Sequence, residues 1–123
     1  MKLHLSLATR NLKKSVAFYA TLLGAAPAKQ LRDYALFITA DPGLELALDL
    51  DKKAKAPRRQ HFGLAVDSVA AVDAQIERLQ SAGYDVAVER AETCCYANQT
   101  KVWARDPDGR RWETYFVHAE VDA

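Results

Sequence analysis

His4-Leu5-Ser6-Leu7-Ala8 returns 57 residues later as His61-Phe62-Gly63-Leu64-Ala65. Each copy alternates in the period of two that marks a strand. After the first copy, Asn11 stands as an N-cap, followed by Leu12, Val16, Tyr19, Leu22 and Leu23 at helical spacing, with Gly24 closing the run. After the second, Asp67-Ser68 precedes Val69, Val72, Ile76 and Leu79 on one helical face, closed by Gly83. Downstream the first half offers Tyr34-Ala35-Leu36-Phe37-Ile38-Thr39, a turn at Asp41-Pro42-Gly43 and a strand through Leu46, Leu48 and Leu50. The second half offers Thr100-Lys101-Val102-Trp103-Ala104, a turn at Asp106-Pro107-Asp108-Gly109 and a strand from Trp112 to Val117. Both read as hairpins. Strand, helix and Asp-Pro hairpin recur in one order, so the chain is an internal duplication of the α+β class.

The chain has 123 residues, half of them apolar, which is enough for one compact core and too little for two independent ones. One domain over 1–123 is expected. Residues 51–59, with three lysines, two arginines and Pro57, are polar and without period. That stretch reads as a linker, giving a first module over about 1–51, a linker over about 52–59 and a second module over about 60–118. Seventeen basic residues nearly balance sixteen acidic ones, which argues against nucleic acid or an anionic membrane as partner. The N-terminus is apolar only at alternate positions and no run approaches transmembrane length, so a cytoplasmic protein is expected.

The two cysteines, Cys94 and Cys95, are adjacent in Glu92-Thr93-Cys94-Cys95-Tyr96-Ala97. A disulfide wants Cα atoms roughly 4.4–6.8 Å apart, whereas a trans peptide holds neighbours at about 3.8 Å. A crosslink between them is therefore disfavoured. Two side-by-side thiols instead offer a two-pronged grip to a soft metal or metalloid, and a reducing cytosol keeps them free. The alternative is a pair of small apolar side chains in the core. The segment 91–100 has few large apolar residues and reads as a loop.

A β-α-β-β-β unit repeated twice, with a histidine in each first strand, resembles the vicinal oxygen chelate superfamily, the glyoxalase and extradiol dioxygenase fold. The resemblance covers essentially the whole chain. It implies two βαβββ modules whose sheets form an eight-stranded open cup around a divalent metal. Ligands in that superfamily come from first and last strands, which places His4, His61 and Glu113 at ligand positions. Aligning Gly43 with Gly109 puts Ala47 where a symmetric fourth ligand would stand. Two imidazoles and a carboxylate on one side of a metal form the facial triad of Fe(II) oxygenases, although Mn(II), Zn(II) or Ni(II) fits the same donors. An isolated strand histidine is ordinarily satisfied by hydrogen bonds. Here two fall at the same place of a repeat. His118 has the opposite parity to Glu113 in an unbulged strand and should point away from any metal. Trp103 and Trp112 read as core or cup lining.

Thr93-Cys94-Cys95-Tyr96-Ala97, then Lys101-Val102-Trp103, Asp106-Pro107-Asp108-Gly109 and Arg111-Trp112-Glu113, resembles the organoarsenical C-As lyases and the related cadmium-induced proteins. The stretches Ala17-Phe18-Tyr19, Leu23-Gly24 and Pro27-Ala28-Lys29 fit the same family. The resemblance implies oxidative cleavage of the carbon-arsenic bond of a small trivalent organoarsenical, such as methylarsenite, with Fe(II) as cofactor and dioxygen as co-substrate. It implies that Cys94 and Cys95 bind arsenic while His4, His61 and Glu113 bind iron. Two rivals remain open: a thiol-based sink for Cd(II) or As(III) without turnover, and a glyoxalase-type isomerase or thiol transferase. Also open is whether the modules pair within one chain or between chains of a homodimer.

Overall fold

The computed structural model describes residues 1–55, 58–90 and 97–120, without the side chains of Ala97, Ala119 and Glu120. Cys94 and Cys95 lie outside the described residues. The architecture is α+β, with two four-stranded mixed sheets and two helices. In chain order these are β1 (Leu3–Thr9), α1 (Leu12–Leu23), β2 (Lys29–Gln30), β3 (Tyr34–Thr39) and β4 (Leu44–Leu50), then β5 (His61–Ala65), α2 (Val69–Ser81), β6 (Ala87–Glu89), β7 (Ala97–Arg105) and β8 (Arg111–Glu120). The first sheet runs β1-β4-β3-β2 and the second β5-β8-β7-β6. In each, the module's first and last strands are parallel neighbours and the rest are antiparallel. The repeat in sequence is thus a repeat in topology.

Two compact units result, one of Met1–Arg58 with Asp106–Arg110, the other of Arg59–Arg105 with Arg111–Ala123. In the first, the Asn11 side chain accepts from the Lys14 N–H and Gly24 closes α1 at φ 64°, a left-handed geometry that costs glycine nothing. Helix α1 turns Leu12, Ser15, Phe18, Tyr19 and Leu22 inward and packs on β3 and β4, where Phe37, Leu46 and Leu48 are fully buried. Each such side chain contributes about 1.5–3 kcal/mol when fully buried. Ala54, in the stretch expected to be solvated linker, is buried, and its N–H donates to the Asp51 carbonyl.

The Asp-Pro-Asp-Gly turn belongs to this first unit and forms a buried polar knot. The Asp106 carboxylate accepts the Tyr19 hydroxyl at 2.5 Å and the backbone N–H groups of Asp108 and Arg110 at 3.0 and 2.8 Å. Arg110 pairs with Asp106 at 3.3 Å and donates to the Ala8 carbonyl at 2.9 Å. Asp108 accepts from the Arg10 backbone at 2.9 Å. Burial pushes the Asp108 carboxyl up, but hydrogen bonds from Thr9 and Arg10 and the charge of Arg110 outweigh it and hold the group below its ordinary value. The motif therefore has a structural reason: a charged turn is buried with its donors and acceptors matched.

In the second unit, Ser68 caps α2 by accepting from the Ala71 N–H, and Gly83 follows the helix at φ 90°. Helix α2 buries Val72, Gln75 and Leu79 and packs on β7 and β8. Gln75 donates to the Thr114 hydroxyl at 3.2 Å, which fixes the helix-facing side of β8 as the one carrying Trp112 and Thr114. Among the described residues no helix is long and apolar enough to cross a membrane.

Candidate functional site

With Trp112 and Thr114 turned toward α2, strand parity puts Arg111, Glu113 and Tyr115 on the other face of the second sheet. Register then arranges that face in rows. One row is His61, Arg111 and Arg105; the next is Gly63, Glu113, Trp103 and Ala87; the third is Ala65, Tyr115, Lys101 and Glu89. His61 and Glu113 are diagonal neighbours on adjacent parallel strands, with Nε2 and Oε2 3.6 Å apart. Lys101 Nζ lies 3.7 Å from the same carboxylate oxygen and 5.6 and 5.8 Å from the ring centroids of Trp103 and Tyr115, a range in which rings attract cations. Trp103 donates its indole N–H to Glu89 at 2.6 Å and meets the His61 ring edge-on at 5.2 Å.

Gly63 makes this packing feasible. A Cβ there would stand 2.9 Å from Tyr115 Cε1 and 3.2 Å from Glu113 Cγ. Both are closer than packed carbon atoms sit. The missing side chain is the space that Glu113 and Tyr115 occupy.

In the first unit, β1 carries His4 directly across from Glu45 on β4, with Nδ1 and Oε1 3.4 Å apart and both side chains about half exposed. Ala47 stands across from Ser6 as Glu113 stands across from Gly63, so Ala47 and Glu113 are equivalent places and the first unit has no carboxylate there. Glu45, equivalent to Arg111, is a carboxylate beside His4 that sequence reading missed; its strand parity with Ala47 was the available signal. Gly63 and Lys101 were missed as neighbours of Glu113 for a related reason, since only cross-strand register brings them there.

The sequence-predicted residues thus divide. His61 and Glu113 come together in the second unit, and His4 stands with Glu45 in the first. Cys94 and Cys95 fall outside the described residues. Within neither unit, among the described residues, do three His, Cys, Asp or Glu side chains gather. The expectation for His118 assumed an unbulged strand, and the ladder skips His118 between Val117 and Ala119; its side chain nonetheless lies away from Glu113, with Nε2 2.9 Å from the Thr100 hydroxyl and its ring against Phe116. Trp112 is core, whereas Trp103 lines the face of Glu113.

The donor chemistry of His61 and Glu113 fits a divalent metal. Imidazole and carboxylate ligands bind at about 2.1 Å, so adjacent donors on one ion lie about 3 Å apart. The observed 3.6 Å is a small rotamer adjustment away.

Comparison with known proteins agrees with this geometry. A family model described as Glyoxalase/Bleomycin resistance protein/Dioxygenase superfamily matches residues 3–114. The chain is 41% identical to a trivalent organoarsenical cleaving enzyme of Bacillus sp. (strain MD1), over 97% of this chain and 74% of that one. It is 40% identical to the cadmium-induced protein CadI of Mycobacterium tuberculosis (strain ATCC 25618 / H37Rv), over 98% of this chain and 79% of that one. Among solved structures, a glyoxalase/bleomycin resistance protein/dioxygenase from Alicyclobacillus acidocaldarius shares the fold with a TM-score of 0.78 at 18% identity, covering 97% of this chain and 92% of that one. Fold, register and relatives converge: the chain belongs to the glyoxalase/bleomycin resistance protein/dioxygenase superfamily.

Proposed function

We propose that this protein is an Fe(II)-dependent dioxygenase that cleaves the carbon-arsenic bond of trivalent organoarsenicals, with His4, His61 and Glu113 as metal ligands and Cys94 and Cys95 as the arsenic-binding thiols. The observation that carries the reading is the His61–Glu113 pair, its donors 3.6 Å apart with the glutamate lying over Gly63, in a chain 37–41% identical to proteins named for organoarsenical cleavage. Fe(II) bound to such donors supplies the binding and activation of dioxygen.

The remaining work falls to side chains of this chain. Methylarsenite has one As–C bond and two exchangeable As–O bonds. Two thiols replace those oxygens, releasing two waters and leaving the As–C bond intact. A free thiol titrates near pH 8.5, and deprotonation makes it the better arsenic ligand. Holding arsenic by two bonds next to the oxidising centre removes much of the entropic cost of bringing three species together. Lys101, 3.7 Å from Glu113, keeps a cation beside that carboxylate, and Trp103 fixes the edge of the His61 ring. The overall reaction balances without a further reductant: methylarsenite and one dioxygen give formaldehyde and arsenous acid. Carbon is oxidised, dioxygen is reduced, and arsenic stays trivalent.

A thiol-based sink for Cd(II) or arsenite is the second reading, and the 40% identity to a cadmium-induced protein is what favours it. Anaerobic reconstitution with Fe(II), followed by methylarsenite and air, separates the two. Arsenite released over many turnovers supports the enzyme. Methylarsenite retained in stoichiometric amount, with no arsenite formed, supports the sink. Cys94→Ser with Cys95→Ser should abolish either activity, and cleavage that survives this double change removes the thiol anchor.

A further inference from the structure

The row His61, Arg111, Arg105 sets two guanidinium groups directly across an antiparallel ladder from each other. Like charges in that position destabilise a sheet. Among the described residues neither Arg105 nor Arg111 makes an ion pair. Arg111 spends one face on Trp103, its guanidinium 5.7 Å from the ring centroid, which leaves its edge N–H groups unspent. Both arginines line a cavity of about 720 Å³ whose other walls include Trp103, Tyr84, Val86 and Asp85. That volume lies within the range of small-molecule sites and is far larger than a simple inorganic ion needs. Among the described residues Asp85 is the one carboxylate of the lining, against the two arginines.

We propose that this cavity is a binding subsite for a flat aromatic group bearing an anionic substituent, with Trp103 stacking the ring and the Arg105–Arg111 pair holding the anion. An anion between the two guanidiniums relieves their repulsion, and the fork of an arginine suits a planar carboxylate. Trp103 also touches His61 at 5.2 Å, so the cavity shares a wall with the His61–Glu113 pair. Resting on the function proposed above, the group held here is the organic substituent on arsenic, and the arginine pair favours acidic aromatic arsenicals over neutral ones.

The test uses two arsenic-free probes, 4-nitrobenzoate and its neutral isostere 4-nitrobenzamide, titrated calorimetrically into the full-length protein at low and high salt. Charge-assisted contacts predict that the carboxylate binds at least about tenfold more tightly than the amide, with a margin that shrinks as salt rises. In Arg105→Gln with Arg111→Gln the margin should vanish, while Trp103→Ala should weaken both probes alike. Equal affinity of the two probes for the native protein overturns the proposal, as does a margin that survives the double arginine change. The native comparison decides alone if the double variant does not fold. Neither probe contains arsenic, so failure here leaves arsenical cleavage standing, and failure of cleavage leaves this subsite standing.

Discussion

Gly63 lies directly across the β5–β8 ladder from Glu113, and the hydrogen it carries in place of a side chain is what lets the glutamate lie over β5 toward His61. A strand glycine ordinarily weakens a sheet. Here it marks the close approach of Glu113 and Tyr115.

Gly63→Ala follows from that contact. Alanine should gain about 0.4–1 kcal/mol through the unfolded chain, yet its methyl must displace Tyr115 or Glu113. The expected outcome is a melting temperature close to that of the native protein, with Fe(II) affinity lowered about 10–100-fold, the usual cost of disturbing a ligand's surroundings. Thermal denaturation and anaerobic metal titration read the two effects separately.

Two carboxylates adjoin histidines, and they should not be equivalent. Glu113→Gln removes a proposed ligand, so metal binding should be lost at micromolar protein. Glu45→Gln leaves His4 in place and removes only the carboxylate 3.4 Å from its Nδ1, so the expected loss is about tenfold. Parallel titrations of the two variants check this, and the reverse ranking would transfer the ligand role to Glu45.

The buried turn predicts stability effects remote from the metal face. Tyr19→Phe deletes the 2.5 Å hydrogen bond to the Asp106 carboxylate and should cost about 1.5–3 kcal/mol, as bonds to charged groups do. Asp106→Ala also takes from buried Arg110 its nearer carboxylate, leaving Asp108 at 3.9 Å, and should cost about 3–5 kcal/mol. Urea unfolding at neutral pH measures both.

Acid should attack the same turn. Asp108 titrates lower in the folded protein than its ordinary value, so the unfolded chain binds the proton first. Its contribution is fully present above the unfolded value of about 3.9 and is lost as pH falls through the lower folded value. Unfolding free energies measured between about pH 2 and 5 should fall less steeply in Asp108→Asn than in the native protein.

Much of this was legible in the sequence because the informative residues repeat. The His-led strands, both helices with their Asn11 and Ser68 entries, and both Asp-Pro hairpins needed only local periodicity and capping chemistry. The edge strands β2 and β6 were not locatable, because two and three residues, all exposed, carry no period. Nor was the register shift at which Gln99 and Asn98 of β7 pair with Val117 and Ala119 of β8 and leave His118 as the extra residue, which local pattern does not encode. The candidate site was legible as residue types but not as neighbours. That Glu113 meets Gly63 and Lys101, that Glu45 meets His4, and that Arg105 faces Arg111 are facts of register, which joins residues far apart in the chain. The Asp-Pro-Asp-Gly motif read as a hairpin, and the buried bond from Tyr19 to Asp106 and the bond from the following Arg110 to the Ala8 carbonyl appeared only with the fold.

Under the function proposed above, this face and the vicinal thiols consume dioxygen to break an As–C bond. Simultaneous recording of oxygen uptake, arsenite and formaldehyde after methylarsenite is added to Fe(II)-loaded protein tests it most directly. The account predicts that all three rise together in equal amounts, over many turnovers, and that none changes in Glu113→Gln. Arsenite formed without oxygen uptake, or methylarsenite held in stoichiometric amount with neither product released, would contradict it.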